Sequence, residues 1–148
     1  MAKIKELHFK VAGITFDNPD GENRQTVMKR LARMLREEYD REDLFDNTTK
    51  KEQIEYEFDE ISEFEGIEIP LSIHWTTYDG KIALKLRTAA GDVGFIPAKL
   101  VDEVLRLPNA LAYGEITGGR VRVLDIDEVT TETRTYGLNV TIETRIDS

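Results

Sequence analysis

A cluster of basic residues between Asn23 and Arg36 is the part of the sequence best suited to contact a charged ligand, because no acidic residue interrupts it. The five cations are Arg24, Lys29, Arg30, Arg33 and Arg36. Lys29, Arg33 and Arg36 follow the i, i+4, i+7 spacing of one helical face, a geometry able to follow a phosphate backbone. The alternative is that these cations form the solvated face of an amphipathic helix or neutralise an acidic neighbour.

A second group of polar and aromatic residues, Tyr78-Asp79-Gly80, lies just before a strand pattern. It suits a tight turn, because Asp can bond nearby backbone and Gly accepts a positive φ. The period-2 alternation of residues 82–87 predicts a half-buried strand, and residues 93–96 predict a second short strand. Pro97 fits the first turn of a helix.

Three blocks of the sequence, taken in order, resemble the HIRAN domain. The first is FKVAGITF with the basic helix after it, from Phe9 to about Leu35. The second is TYDGKIALKL through GDVGFIPAKLVDEVL, which is similar to the "YD…NAI.V…G..vGyip…a" core of the family. The third joins ITGG with YGLNVTIE near the end of the chain. Together they cover about two thirds of the sequence and predict a single HIRAN-like domain over residues 1–148.

The resemblance implies a mainly β fold, a small, partly open, OB-like β-barrel of about six strands, with two helices. HIRAN domains occur attached to Swi/Snf-type helicases and to nucleases, and alone in bacterial and phage proteins. The family therefore implies binding of single-stranded DNA with a preference for a free 3′ end, alongside a helicase or nuclease as protein partner, in DNA repair or a phage-related process.

The resemblance assigns six residues to DNA binding: Arg24, Tyr78, Asp79, Phe95, Arg30 and Arg33. Tyr78 would stack on a terminal base, and Asp79 would accept a hydrogen bond from the 3′ hydroxyl and repel a 3′ phosphate. The three arginines would contact phosphates. Phe95 stands where the family has an aromatic residue, although it would equally suit a core position.

The sequence also departs from the family pattern around the predicted turn. Thr76-Thr77 precede the Tyr-Asp pair where the family has Asn and Pro, Gly80 is inserted, and Ile82 replaces an Asn. These changes remove side-chain amides that could orient a turn or touch a ligand. The alternative function is therefore a protein-interaction or regulatory module of HIRAN fold that has lost DNA binding.

Acidic residues are concentrated in one segment of the chain. The formal net charge is −9, and Glu37 to Glu65 holds 13 acidic and 3 basic residues. HIRAN domains pass from this helix to the next strand more directly, so the resemblance implies an acidic insertion at about residues 37–66. Its charge either keeps the protein soluble or shields the basic helix. Within it, Ile54, Tyr56 and Phe58 alternate with acidic residues and predict an edge strand.

Composition gives little support to catalysis or metal binding, so we predict neither an enzyme nor a cofactor. The chain has no cysteine, and His8 and His74 lie far apart, each in a strand pattern. No phosphate-binding glycine loop is present, and Asp125 with Asp127 lacks a third metal ligand. With no apolar run of membrane-spanning length and no signal-peptide pattern, we expect a cytoplasmic protein without a membrane partner.

The remaining patterns predict the elements that must position these residues. Helices are expected near 23–37, capped by Asn23, and near 97–107. The first should bury a stripe of Val27, Leu31, Met34 and Leu35, and the second a face of Leu100, Val101, Val104 and Leu105. Strands are expected at 111–116, 120–126 and 135–144, with a turn at Gly118-Gly119 and a bulge at Val123-Leu124. Residues 3–16 should pair with the last strand or its neighbour.

Overall fold

Antiparallel strands make up most of the structure, a computed structural model that describes residues 2–39, 60–64, 66–124 and 128–147. The mainly β fold class is therefore confirmed. The strands are β1 (Ala2–Lys10), β2 (Glu60–Ser62), β3 (Ile69–Tyr78), β4 (Lys81–Thr88), β5 (Gly91–Phe95), β6 (Leu111–Leu124) and β7 (Val129–Asp147). The helices are α1 (Arg24–Tyr39) and α2 (Val101–Leu105), and a 3-10 turn over Ala98–Leu100 leads into α2.

The strands form one sheet in the order β1-β7-β6-β3-β4-β5, and β2 pairs with β6. This sheet does not close into the expected barrel. Its two end strands, β1 and β5, are linked through a single bridge between Ala12, just after β1, and Phe95, the last residue of β5. Two hydrogen bonds make that bridge, Ala12 N–H to Phe95 O at 2.8 Å and Phe95 N–H to Ala12 O at 2.9 Å. The fold is thus a strongly bent open sheet within the described residues.

Helix α1 begins as the sequence predicts. The Asn23 side chain accepts a hydrogen bond from Gln25 N–H at 2.9 Å, which satisfies one of the free N–H groups at a helix start. The buried face consists of Val27, Met28, Leu31, Ala32 and Leu35. Met34, which we expected in this stripe, is 39% exposed. At 3.6 residues per turn it falls at the edge of the buried face, while Met28 falls within it.

Helix α2 is shorter than the predicted 97–107 helix. Val101 and Val104 are buried as expected, but Leu105 is exposed. The 3-10 turn after Pro97 uses three residues, and the helix ends at Leu105. Only one and a half turns of α-helix remain, so its apolar face covers little of the sheet.

Strand β6 corrects two predictions. Gly118 and Gly119 do not turn the chain, because residues 111–124 form one strand with a bulge between Thr117 and Gly119. A Cβ on Gly118 would lie 2.0 Å from the Thr135 carbonyl oxygen, and its φ is +73°, so only glycine fits this close approach. The bulge predicted at Val123-Leu124 is absent from the described pairing, where Val123 faces Thr130 in regular register.

Strand β7 is the longest in the described chain, and it contains the predicted 135–144 strand with Leu138, Val140 and Ile142 buried. Strand β1 pairs with it along its length, as expected. His8 and His74 both lie in strands, also as expected. The predicted edge strand at Ile54, Tyr56 and Phe58 and the Asp125 and Asp127 pair lie outside the described residues. In the described part of the chain, neither α1 nor any other helix has the length and apolarity to cross a bilayer.

Candidate nucleic-acid interface

A groove of about 560 Å³ opens between the chain after β1, the start of α1 and the free end of the β3-β4 hairpin. Its residues come from five separate parts of the chain. They are Ala12, Gly13, Phe16, Asp17, Arg24, Asp79, Lys81, Ile82, Ala83, Phe95, Ile96, Ala98 and Val101. The groove therefore combines apolar walls with two carboxylates and two cations.

The bridge between Ala12 and Phe95 sets the inner end of this groove, and Gly94 makes it possible. Gly94 has φ +144°, and a Cβ there would lie 2.4 Å from the Ala12 carbonyl oxygen. Because any other residue would push these two chain segments apart, Gly94 holds Phe95 against the start of the groove.

Arg24 is the first residue of α1, and only 5% of its surface is exposed. Its Nε donates to Asn18 Oδ1 at 2.9 Å, and its Nη1 donates to the Gly13 carbonyl at 2.7 Å. The guanidinium carbon lies 5.0 Å from the centroid of the Phe95 ring, within the range of a cation-π contact. These contacts hold the guanidinium plane in one orientation where it lines the groove.

The charge of Arg24 is only partly balanced. Burial lowers the pKa of the Arg24 guanidinium, and the nearby Asp92 and Asp17 carboxylates oppose that shift. Arginine stays protonated at neutral pH, so a cation remains in the groove. Among the described residues Arg24 forms no ion pair, and both of its acceptors are neutral. A buried cation with neutral partners favours an anionic ligand, since desolvation of a charge is costly unless it is compensated.

Asp79 lines the same groove from the β3-β4 turn. Asp79 has φ +53° and Gly80 has φ +77°, two positive values in sequence as in the type I′ turns that favour Asp-Gly. The predicted turn is therefore confirmed, and it leaves Asp79 exposed at the groove. Tyr78 ends β3 opposite Lys81, but its side chain, and with it the predicted stacking contact, lies outside what the structure describes.

The groove brings Arg24, Asp79 and Phe95 together, and Arg30 and Arg33 are not among its lining residues. Arg30 forms an ion pair with Glu22 at 2.7 Å and donates to the Ala90 carbonyl. Arg33 is exposed on α1. It lies nine residues from Arg24, which is two and a half turns, so the two side chains leave opposite faces of the helix.

The predicted face of Lys29, Arg33 and Arg36 is also not a free phosphate track. Arg36 forms a two-point ion pair with the buried Glu63, whose surface is 1% exposed. The carboxylate raises the pKa of Arg36, chiefly by its hydrogen bond. Arg36 therefore stabilises the fold through this ion pair. The pairing supports the alternative that the helix neutralises acidic neighbours.

Sequence reasoning missed three groove residues, Phe16, Lys81 and Ile82. Phe16 is 68% exposed although it is a large apolar residue, and its ring packs beside Gly13. The signal that could have identified it is its position, since an aromatic residue ends FKVAGITF just before the turn residues Asp17-Asn18-Pro19. The alternation of residues 82–87 places Ile82 on the buried face of its strand. In the structure β4 extends past the core at that point, so Ile82 is exposed.

Comparison of the chain with protein-family models, with curated proteins and with solved structures finds no match.

Proposed function

We propose that this chain is a nucleic-acid-binding module that takes the free 3′ end of a single DNA strand into the Arg24 groove. The observation that carries the proposal is the buried guanidinium of Arg24, which has only neutral hydrogen-bond acceptors in the described chain and lies between apolar walls. A nucleotide offers the matching chemistry, because it joins an anionic phosphate to a flat apolar base.

Each part of the groove has a role in this proposal. Arg24 binds a phosphate through the N–H groups that its two hydrogen bonds leave available. Phe16 offers an exposed ring for a base, a contact worth about 1–3 kcal/mol on truncation in other single-strand binders. Lys81 adds a second cation at the rim of the groove, which attracts the anionic strand and raises its association rate.

The preference for a free 3′ end rests on Asp79. Its carboxylate lines the groove and can accept a hydrogen bond from a terminal hydroxyl. A terminal phosphate in the same place would meet like charge from Asp79 and from Asp17, which also lines the groove. The two carboxylates therefore favour a hydroxyl end over a phosphorylated end.

A protein-interaction module remains the second candidate, and the state of helix α1 favours it. Arg30 and Arg36 are paired with Glu22 and Glu63, so α1 offers no continuous phosphate track beside the groove. In this candidate the exposed apolar side chains of Phe16 and Ile82 would contact a protein partner, and the Arg24 groove would take an acidic side chain from it.

Fluorescence anisotropy of a 5′-labelled single strand of about ten nucleotides separates the two candidates. The first predicts saturable binding at low salt, weaker binding of a 3′-phosphorylated strand, and loss of affinity as salt rises. Asp79→Asn keeps the left-handed turn, because Asn tolerates positive φ, and should reduce the preference for the hydroxyl end.

Glu128→Gln is the matched control, since it removes one exposed carboxylate outside the groove. It should leave the preference for the hydroxyl end unchanged. No binding of any single strand at low salt would reject the DNA-binding proposal and leave the protein-interaction module.

A further inference from the structure

Trp75 is the most conspicuous exposed aromatic side chain outside the groove. It lies on β3 and is 70% exposed. Alternate residues of β3 share one face of the sheet, and on this strand Ile69 is buried while Leu71 and Ile73 pack against the core. Trp75 continues that core-facing series, yet nothing in the described chain covers it. The cause is topological, because β6 supports β3 only from Ile69 to Leu71.

This exposed ring adjoins the groove through the β3-β4 register. Trp75 pairs with Leu84, and Thr77 pairs with Ile82, so Trp75 and Ile82 occupy diagonal positions on the same face. Ile82 lines the groove. Trp75 therefore lies beside the part of the groove that Phe16 and Ile82 line, whereas isolated exposed apolar residues are common and indicate no binding site.

We propose that Trp75 is a second stacking site, which binds the base of the third nucleotide from the strand end held in the groove. This proposal rests on the proposed function, and it commits to single-stranded DNA as the occupant. Ile82 lies two positions along β4 from Leu84, the partner of Trp75, which is about 7 Å at strand spacing. That distance corresponds to about two steps of a stacked strand at roughly 3.4 Å each.

Charge and chemistry both favour a nucleic acid over another apolar surface here. Lys81 lines the groove at the free end of the same hairpin, so a cation lies at the groove end of this apolar surface. An indole ring offers a large flat surface on which any base can stack, so it suits binding without sequence specificity. The predicted site would then span about three nucleotides.

Trp75 is the only tryptophan of the chain, so its intrinsic fluorescence reports directly on this contact. The probes are oligothymidylates of about two and about eight nucleotides, followed by both tryptophan emission and anisotropy of a 5′ label. The longer strand should quench Trp75 emission in parallel with the anisotropy change, and the shorter strand should compete for the groove with little quenching.

Trp75→Ala should weaken binding of the longer strand by about 5- to 150-fold and leave the shorter strand unaffected. Trp75→Phe should restore most of the affinity, because it keeps an aromatic face. Leu111→Ala is the matched control, since Leu111 is 69% exposed on β6 outside the groove, and it should change nothing. Thermal unfolding of each variant checks that the fold is retained.

The outcomes separate the two proposals. Anisotropy without quenching, together with unchanged affinity of Trp75→Ala, would overturn the role of Trp75 and leave the groove proposal standing. Absence of any binding by the wild-type protein would overturn both.

Discussion

Two arginines at opposite ends of helix α1 have similar surroundings and different partners. Arg24 in the first turn stacks on Phe95 at 5.0 Å, and Arg36 in the last turn stacks on Phe64 at 5.6 Å. Arg36 shares the buried carboxylate of Glu63 with Arg120. Arg24 instead donates to an amide oxygen and a backbone carbonyl. The helix thus carries one cation that is neutralised internally and one that is not.

The difference indicates which cation serves the fold and which is open to a ligand. At the Glu63 cluster, which comprises Arg36, Glu63 and Arg120, one buried carboxylate pairs with both arginines and ties α1 to β6 and to the chain after β2. At the groove, the neutral acceptors orient Arg24 without cancelling its charge. Stability should therefore depend most on the first region, and binding on the second.

The largest expected effect is on stability at the Glu63 cluster. Glu63→Gln removes the buried carboxylate that Arg36 and Arg120 share, so the free energy of unfolding should fall by about 3 kcal/mol. Urea denaturation measures this loss. Glu60→Gln is the control, because it breaks the exposed pair of Glu60 with Arg134, which should cost less than about 1 kcal/mol. If both variants lose the same free energy of unfolding, the buried cluster contributes no more to stability than the exposed ion pair does.

The next effect is on binding at the groove. Arg24→Met keeps most of the side-chain volume but removes the charge, so single-strand affinity should fall by at least about tenfold. Stability should fall by only about 1–2 kcal/mol, since the lost partners are neutral. Anisotropy and urea denaturation on the same samples give both numbers.

Arg106→Met controls for the loss of one positive charge, because Arg106 is exposed at the end of α2. If it weakens binding as much as Arg24→Met does, the affinity reflects overall charge and not the groove.

A smaller effect concerns pH and Asp92. Burial favours the neutral acid, but hydrogen bonds from Arg87 and Lys85 outweigh it and lower the pKa of Asp92. A carboxylate with a lowered pKa stabilises the folded state above its unfolded pKa of about 3.9, and that stability is lost as the pH falls through the folded value. The melting temperature should therefore fall below about pH 4, and Asp92→Asn should flatten this part of the profile. Asp102→Asn, at an exposed site, should keep the wild-type profile.

The smallest effect is expected at the solvent face of α1. Charge reversal of Arg33 to Glu should change single-strand affinity by about twofold or less, because the side chain is exposed on the face opposite Arg24 and surface substitutions have small effects. Anisotropy at two salt concentrations tests this. A large loss of affinity would instead support the hypothesis that Lys29, Arg33 and Arg36 contact a phosphate backbone.

Local patterns account for what could be predicted from the sequence. Alternation over a few residues identified β4, β5 and the centre of β7, and Asn23 marked the start of α1. The Asp79-Gly80 turn follows from residue type alone, since few residues accept two positive φ values in sequence. By the same logic Gly118-Gly119 was read as a turn. The structure uses both glycines in a bulge, because a Cβ on Gly118 would meet the Thr135 carbonyl oxygen and a Cβ on Gly119 would meet the Tyr136 ring, both on the paired strand β7.

The sequence predicted only some of the groove residues, and Phe16 and Ile82 were not among them. Phe16 is exposed in the loop after β1, and Ile82 is exposed because β5 pairs with β4 only from Lys85 to Thr88. No local pattern encodes where a neighbouring strand ends. Arg24, Asp79 and Phe95 were suggested by a resemblance in residue order, but their meeting in one groove depends on the single bridge between Ala12 and Phe95.

The sequence by itself determined the class of fold, the position of the main helix and most strands, because alternation, capping and turn chemistry act over a few neighbouring residues. It also determined that five cations lie together on that helix. Only the tertiary structure decided which of them are neutralised, since the carboxylate that pairs with Arg36 comes from Glu63, 27 positions away in the chain. Burial and ion pairing depend on which distant residues the fold brings into contact, so the difference between Arg24 and Arg36 exists only in the folded molecule.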